Sequence, residues 1–120
     1  MRELRVRNLT RGTLLAERAR HARSLWQRTR GLLGTPPLDE GQGLVLEPCN
    51  SVHMIGMRYA LDVVFADREG HVVGLSENLR PWRATRIYRG AHFAVELPVG
   101  TVAGSGTCAG DVLAFEGVTA

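Results

Sequence analysis

The 120-residue chain gathers its chemically capable side chains into a few short stretches. Cys49-Asn50-Ser51-Val52-His53 sets a thiol and an imidazole four residues apart. Such groups make a nucleophile with its base, or two ligands of a zinc ion. On an extended segment both would lie on one face roughly 13 Å apart, at about 3.3 Å per residue, too far to share one metal. A turn at Asn50-Ser51 would be needed to join them, with Cys108 and His71 or His92 completing a tetrahedral set. Met54 and Met57, flanking Gly56 beside His53, would add soft thioether donors, although core filling is the commoner use of methionine. No second cysteine lies nearby in sequence, so neither a metal nor a cofactor is assigned here. Packed or hydrogen-bonded side chains are the simpler account.

Asp62 stands inside an apolar run, Leu61-Asp62-Val63-Val64-Phe65, where alternation puts Leu61, Val63 and Phe65 on one face and Asp62 with Val64 on the other. A carboxylate there must reach solvent or find a partner, because breaking a buried pair costs about 3–5 kcal/mol. Arg58, four residues earlier, is the nearest candidate for a structural ion pair; a carboxylate lining a ligand cleft is the functional alternative. Glu96 and Asp111 could form a glycosidase-like pair with Asp62 if the fold brought them close.

From Asn78 to Gly90, Arg80, Arg83, Arg86 and Arg89 recur at every third residue, interleaved with Trp82 and Tyr88. Guanidinium forks bind carboxylate or phosphate and aromatic faces stack on planar groups, so this is an anion- or base-binding ribbon or, more simply, an irregular connection whose Trp82 plugs the end of a sheet. The glycine-rich run Gly104 to Asp111 lacks the following helix that a phosphate loop requires, since Val112-Leu113-Ala114-Phe115 reads as a strand. Gly110-Asp111 is read as a turn entering that strand.

Composition narrows the chemistry further. All fifteen Lys and Arg positions are Arg, which removes a P-loop lysine, a Schiff base and a Ser-Lys dyad. Residues 1–30 hold nine Arg against Glu3 and Glu17, and the remainder holds six Arg against ten acids, so a net charge of +3 conceals about +7 followed by about −4. A basic first quarter is a footprint for nucleic acid or anionic headgroups, or an ordinary solvated surface. No apolar run exceeds four residues, so neither a membrane span nor a signal peptide is expected. Two cysteines are too few for a disulfide framework, and a cytoplasmic protein with reduced thiols is expected.

The elements that must position these groups are short. Glu3 to Asn8 alternates as a strand, Thr10-Arg11-Gly12 is a turn, and Thr13 to Ala22 returns as a second strand. Ser24-Leu25-Trp26-Gln27 has capping-box spacing and predicts one helix over residues 25–33, stopped by Gly34 and Pro36-Pro37. Residues 44–47, 52–55, 61–66, 71–76, 93–97 and 112–115 read as further strands, with Gly70 closing a hairpin between the third and fourth of these. The expectation is one mainly β (α+β) domain over residues 1–120. Its architecture is a compact curled antiparallel β-sheet or partly open barrel of seven or eight short strands with one short helix.

Gly31-Leu32-Leu33-Gly34, Gly41 to Leu46, the Cys49 to His53 stretch, Met57-Arg58 with Leu61 to Phe65, Glu77 to Arg83, Val95-Glu96-Leu97-Pro98 with Gly100, and Gly110-Asp111 occur in an order that resembles the bacterial and archaeal family called domain of unknown function 192. The resemblance spans about residues 4–115. It implies a compact, mainly β domain with a short helix and no established activity, other members of the family carrying a signal sequence or lipid anchor. The family's Met-(Arg or Lys)-x-x-(Leu or Ile)-Asp segment falls on Met57 to Asp62, its Glu-Leu-x-x-Gly on Glu96 to Gly100, and its Gly-Asp on Gly110-Asp111. The chain departs from the pattern at Leu33, in place of a frequent Met, and at Ile55-Gly56, in place of a bulky pair. If that pair lines a pocket, Gly56 enlarges or abolishes it.

The expected function is non-enzymatic binding. A cleft between the 53–62 segment and the 78–89 loop would present His53, Arg58, Asp62, Trp82 and Arg83 to a small polar or anionic ligand or a peptide end. Alternatives are a hydrolase or thiol-dependent enzyme using Cys49, His53 and Asp62, nucleic-acid binding through the Arg-rich surface, and an accessory protein pairing at a sheet edge.

Overall fold

The computed structural model describes residues 2–118. In chain order it contains β1 (Arg2–Asn8), β2 (Thr13–Ala22), α1 (Leu25–Arg30), β3 (Gln42–Leu46), β4 (Leu61–Ala66), β5 (Val72–Leu79), β6 (Phe93–Leu97), α2 (Thr101–Ser105) and β7 (Leu113–Gly117). The seven strands form one sheet in the order β5-β4-β6-β3-β2-β1-β7, mainly antiparallel as expected. The exception is the parallel β2–β3 pair. Its strands are joined by a long crossover carrying α1, the connection a parallel pair needs.

The sheet curls until its two edge strands meet at one corner. His71 bridges Val112, the Val72 amide donates to Asp111 at 2.8 Å, and the Leu113 amide donates to Gly70 at 2.8 Å. Gly70 is required there twice over: it holds φ +89°, and an added Cβ would stand 2.3 Å from the Leu113 carbonyl oxygen. The result is a half-barrel that hides much of its own edges.

Both faces of the central strands are covered, so β4 is buried at every position. One face packs Val6, Leu15, Val45, Val64, Val95 and Leu97 with Val102 of α2. The opposite face packs Leu44, Leu46, Leu61, Val63 and Phe65 under Leu32, Val52, Met54 and Met57 from the connecting segments. Removing such side chains from water stabilises by about 1.5–3 kcal/mol each, which is why the long connections lie down on the sheet.

Local differences from the sequence reading have plain causes. The capping box forms, with the Gln27 amide donating to Ser24 Oγ at 3.0 Å, but α1 ends at Arg30 because Gly31 takes φ +52° and caps it. The 52–55 segment is no strand: His53 makes only an isolated bridge to Ala84. A second helix, α2, occupies the stretch read as a connection after Pro98-Val99-Gly100. Tyr88, not Trp82, covers the sheet. Its ring stacks on Phe65 with centroids 4.5 Å apart and lies over Gly74, where a Cβ would come within 2.1 Å of it, while Trp82 is 70% exposed.

Candidate functional site

Asp62, Glu96 and Asp111 are the buried acids among the described residues. Asp111 joins the β1–β2 turn to the entry of β7: Asn8 Nδ2, the Cys108 amide and Arg11 Nε donate to Oδ2 at 3.0, 2.9 and 3.1 Å. Those bonds, Asn8 first, draw its carboxyl down to about 2.

Asp62 meets no arginine. On the face shared with Val64 its Oδ1 accepts the Asn78 amide at 2.9 Å and its Oδ2 accepts the Gly100 and Val102 amides, each at 3.0 Å. It therefore caps α2 from a neighbouring strand, satisfying amides that the glycine at the helix start cannot bond with a side chain of its own. The ion pair expected with Arg58 is absent among the described residues, because three backbone donors already fill the carboxylate and Arg58 is exposed.

Glu96 differs from both. It sits mid-strand in β6, flanked by Leu44 and Val63 across the two ladders, and is 6% exposed. Among the described residues it has neither a side-chain hydrogen bond nor an ion pair. Burial alone pushes its carboxyl up to about 7. Its alternation places it on the face of the second core, where it lines a pocket of about 230 Å³ between residues 28–33 and the 48–57 segment. Leu32, Leu46, Val52, Met54 and Met57 supply apolar wall, and Cys49 and His53 add polar groups. Wider concavities beside β2 and α2, of about 510 and 900 Å³, contain no buried ionisable group.

A second carboxylate fixes the pocket wall. Glu47, just past β3, accepts His21 Nε2 on one oxygen and His92 Nε2 on the other, each at 2.7 Å. Burial raises its carboxyl, but the bonds from His92 and His21 outweigh that, and the net shift is downward. The Cys49 amide donates to the His92 carbonyl at 3.0 Å, so this clamp holds Pro48 and Cys49 in place.

The five expected site residues do not share one cleft. His53 lines the Glu96 pocket. Trp82 and Arg83 reach its loop through backbone bonds, Trp82 amide to the Met54 carbonyl and Met54 amide to the Arg83 carbonyl, both 2.8 Å; their side chains are exposed, as is that of Arg58. Asp62 faces the other side of the sheet, since odd and even positions of β4 point oppositely. Cys49, His53 and Asp62 consequently form no triad. The Cys49 thiol donates to the Ser51 carbonyl at 3.1 Å, and burial first, then the nearby Glu96 charge, raise its pKa. His53 Nδ1 accepts the Ile55 amide at 3.4 Å. No three His, Cys, Asp or Glu side chains among the described residues are placed to hold a metal ion, and both cysteines are free thiols. Gly56, at φ +80°, packs against Leu33, so Leu33 and Ile55, not Gly56, shape the pocket. In the basic first quarter, Arg7, Arg11 and Arg18 pair with Glu116, Asp111 and Glu3. No described helix is long and apolar enough to cross a membrane.

Fold and site together define a curled β half-barrel with a small pocket over a buried acid that is unpaired among the described residues. The chain belongs to the domain of unknown function 192 family, described as an uncharacterized ACR, whose pattern matches residues 6–115. It is 33% identical over 99 residues to a UPF0127 protein of Thermococcus sibiricus, covering 79% of this chain and 64% of that relative, so it spans under two thirds of the relative's length. Two crystal structures share the fold. A protein of unknown function from Novosphingobium aromaticivorans has a TM-score of 0.80 at 19% identity, covering 93% of this chain and 83% of that one. A proposed transcription regulator from Sinorhizobium meliloti has a TM-score of 0.80 at 21% identity, covering 95% and 92%.

Proposed function

We propose that this chain binds a small molecule in the pocket over Glu96 and performs no chemistry on it. The observation that carries this reading is the Glu96 carboxyl, buried at 6% exposure on the pocket lining with no hydrogen bond or ion pair among the described residues. Buried polar groups in native proteins are bonded in the great majority of cases, and an isolated acid in a core strand costs stability. A partner entering the pocket would answer this carboxyl. A raised thiol at Cys49 with no base beside it supports binding over nucleophilic catalysis.

His53 is kept from the expected set as a wall contact, and Trp82 and Arg83 as outer contacts through the Met54 loop. Asp62 is assigned to the fold. Amide chemical-shift mapping against a fragment library tests the reading. Shifts clustered at residues 28–33, 49–57 and 96 are expected. Binding only elsewhere, or at no site on a folded sample, would overturn it.

A further inference from the structure

From the chemistry of the pocket over Glu96 we infer that its ligand presents a primary ammonium on an apolar body, an inference that rests on the binding site proposed above. The most buried polar side chain lining the pocket is the Glu96 carboxyl, and the sheet around it offers apolar neighbours on that face, among them Leu44, Leu46, Val63 and Ala94. The ionisable groups facing it from the covering elements are Arg28 and Arg30 of the α1 end and Cys49 and His53 of the 48–57 segment. None of them bonds to it. Arg28 donates its Nε and Nη1 to the Arg23 and Pro48 carbonyls at 3.4 and 3.3 Å, and the Cys49 thiol is spent on Ser51.

A ligand that seats itself against the ionised Glu96 must therefore bring donors. An ammonium brings three donors and the opposite charge, so its own desolvation and that of the carboxylate are offset together. A carboxylate or phosphate group at the same depth would meet a like charge or force Glu96 to stay protonated. Leu32, Met54 and Met57 give the rest of the ligand apolar contact, and thioether side chains adapt to its outline. When the amine binds at a pH below the Glu96 midpoint, the carboxyl proton passes to solvent and the amine keeps its own, so one proton is released per ligand.

Two sources share this chemistry, a free aliphatic amine and the amino end of a peptide. The test uses isoamylamine, leucinamide, the tripeptide Leu-Gly-Gly, isoamyl alcohol and isovalerate. Each is titrated into wild type and Glu96→Gln at pH 6, 7 and 8, with amide shifts reporting the location. The amines are expected to shift Cys49 to Met57 resonances and to gain about fivefold in affinity from pH 6 to pH 7 and about tenfold from pH 6 to pH 8. Heats should vary with buffer as one proton is released, and Glu96→Gln should weaken the amines at least tenfold at pH 8 and abolish their pH dependence, while the alcohol's affinity changes far less and without pH dependence. Tighter binding of Leu-Gly-Gly than of isoamylamine would identify a peptide end, and the reverse a free amine. Alcohol or isovalerate bound in the pocket as tightly as the amine, without pH dependence, would overturn the ammonium but leave the binding site standing. No probe shifting the pocket resonances, together with fragment hits confined to other surfaces, would overturn the site itself.

Discussion

Asp62 Oδ2 accepts the Val102 amide at 3.0 Å across forty residues of chain, and one step along the same ladder Glu96, opposite Val63, turns to the other face of the sheet. Two acids on adjacent central strands thus have opposite fates. The first is saturated by backbone donors and holds α2 on the sheet; the second has no hydrogen bond or ion pair among the described residues.

Asp62→Ala should therefore be among the most damaging single changes. It leaves the amides of Asn78, Gly100 and Val102 without their acceptor, at about 1–3 kcal/mol for each buried donor, so a loss of about 4 kcal/mol is expected. Asp62→Asn keeps one oxygen for the two α2 amides but turns an NH₂ toward Asn78, and should lose about half as much. Guanidinium unfolding of the three proteins checks the order. A loss below about 1 kcal/mol for Asp62→Ala would show that the carboxylate does not carry these bonds.

How much of this was legible in the sequence depended on whether the cause was local. Alternation from Glu3 to Asn8 and from Leu61 to Ala66, the Ser24–Gln27 box and the Gly70 turn are written in neighbouring residues, and the corresponding elements form there, α1 ending at Arg30 and not at residue 33. Asp62 could be seen to need a partner, but not that the partner would be backbone amides near residue 100, since main-chain donors leave no mark on composition. That requirement also hid α2, whose start is bonded from another strand. The Glu47 clamp was invisible for the same reason: His21 and His92 meet one carboxylate only because β2, β3 and β6 lie side by side. For Glu96 the signal existed, an acid inside Phe93-Ala94-Val95-Glu96-Leu97, as conspicuous as Asp62. What alternation could not say is which of the two faces would open into a pocket.

The Glu47 clamp predicts a coupling between stability and the pocket. Glu47→Ala removes two short histidine contacts at a partly exposed site, so about 2 kcal/mol should be lost at pH 7 after allowing for solvent screening. Because the native carboxyl lies below its ordinary 4.5, the contribution is complete above that value and disappears as pH falls through the lowered native midpoint. The gap between wild type and Glu47→Ala in denaturant midpoint should accordingly narrow on acidification below about 4.5. A gap that stays constant down to acid unfolding would contradict the assignment.

The closed corner of the sheet gives a sharper comparison between two glycines. Gly34 has φ +76° with open space where a Cβ would go, so Gly34→Ala should cost only the left-handed backbone penalty, about 1 kcal/mol. Gly70 has a similar φ, but its added methyl would strike the Leu113 carbonyl, which cannot rotate away without breaking the His71–Val112 bridge. Gly70→Ala should cost about 4 kcal/mol. Equal losses in thermal or chemical unfolding would mean that the two sheet edges do not meet in solution.

The strongest test of the buried Glu96 acid needs no ligand. In the unfolded chain Glu96 titrates near its ordinary 4.5, and in the folded protein near 7. Between those values the native state holds a proton that the unfolded state has lost. Stability must then fall as pH rises through this interval, by about 3 kcal/mol in total for a gap of this size, and level off above it. This is the reverse of what Asp111 and Glu47 contribute, and it falls at higher pH than either, so the effects separate. Glu96→Gln, similar in size and uncharged, should match wild type near pH 4.5, gain on it steadily to pH 7 and keep a constant lead beyond. Denaturant midpoints at half-unit intervals from pH 4.5 to 8.5 provide the measurement. Two parallel curves would mean that Glu96 has found a donor within the folded chain, and the argument for a ligand from outside would lose its footing. A lead that opens across this interval would show the carboxyl to be buried and unanswered, the state in which an arriving ammonium has the most to offset.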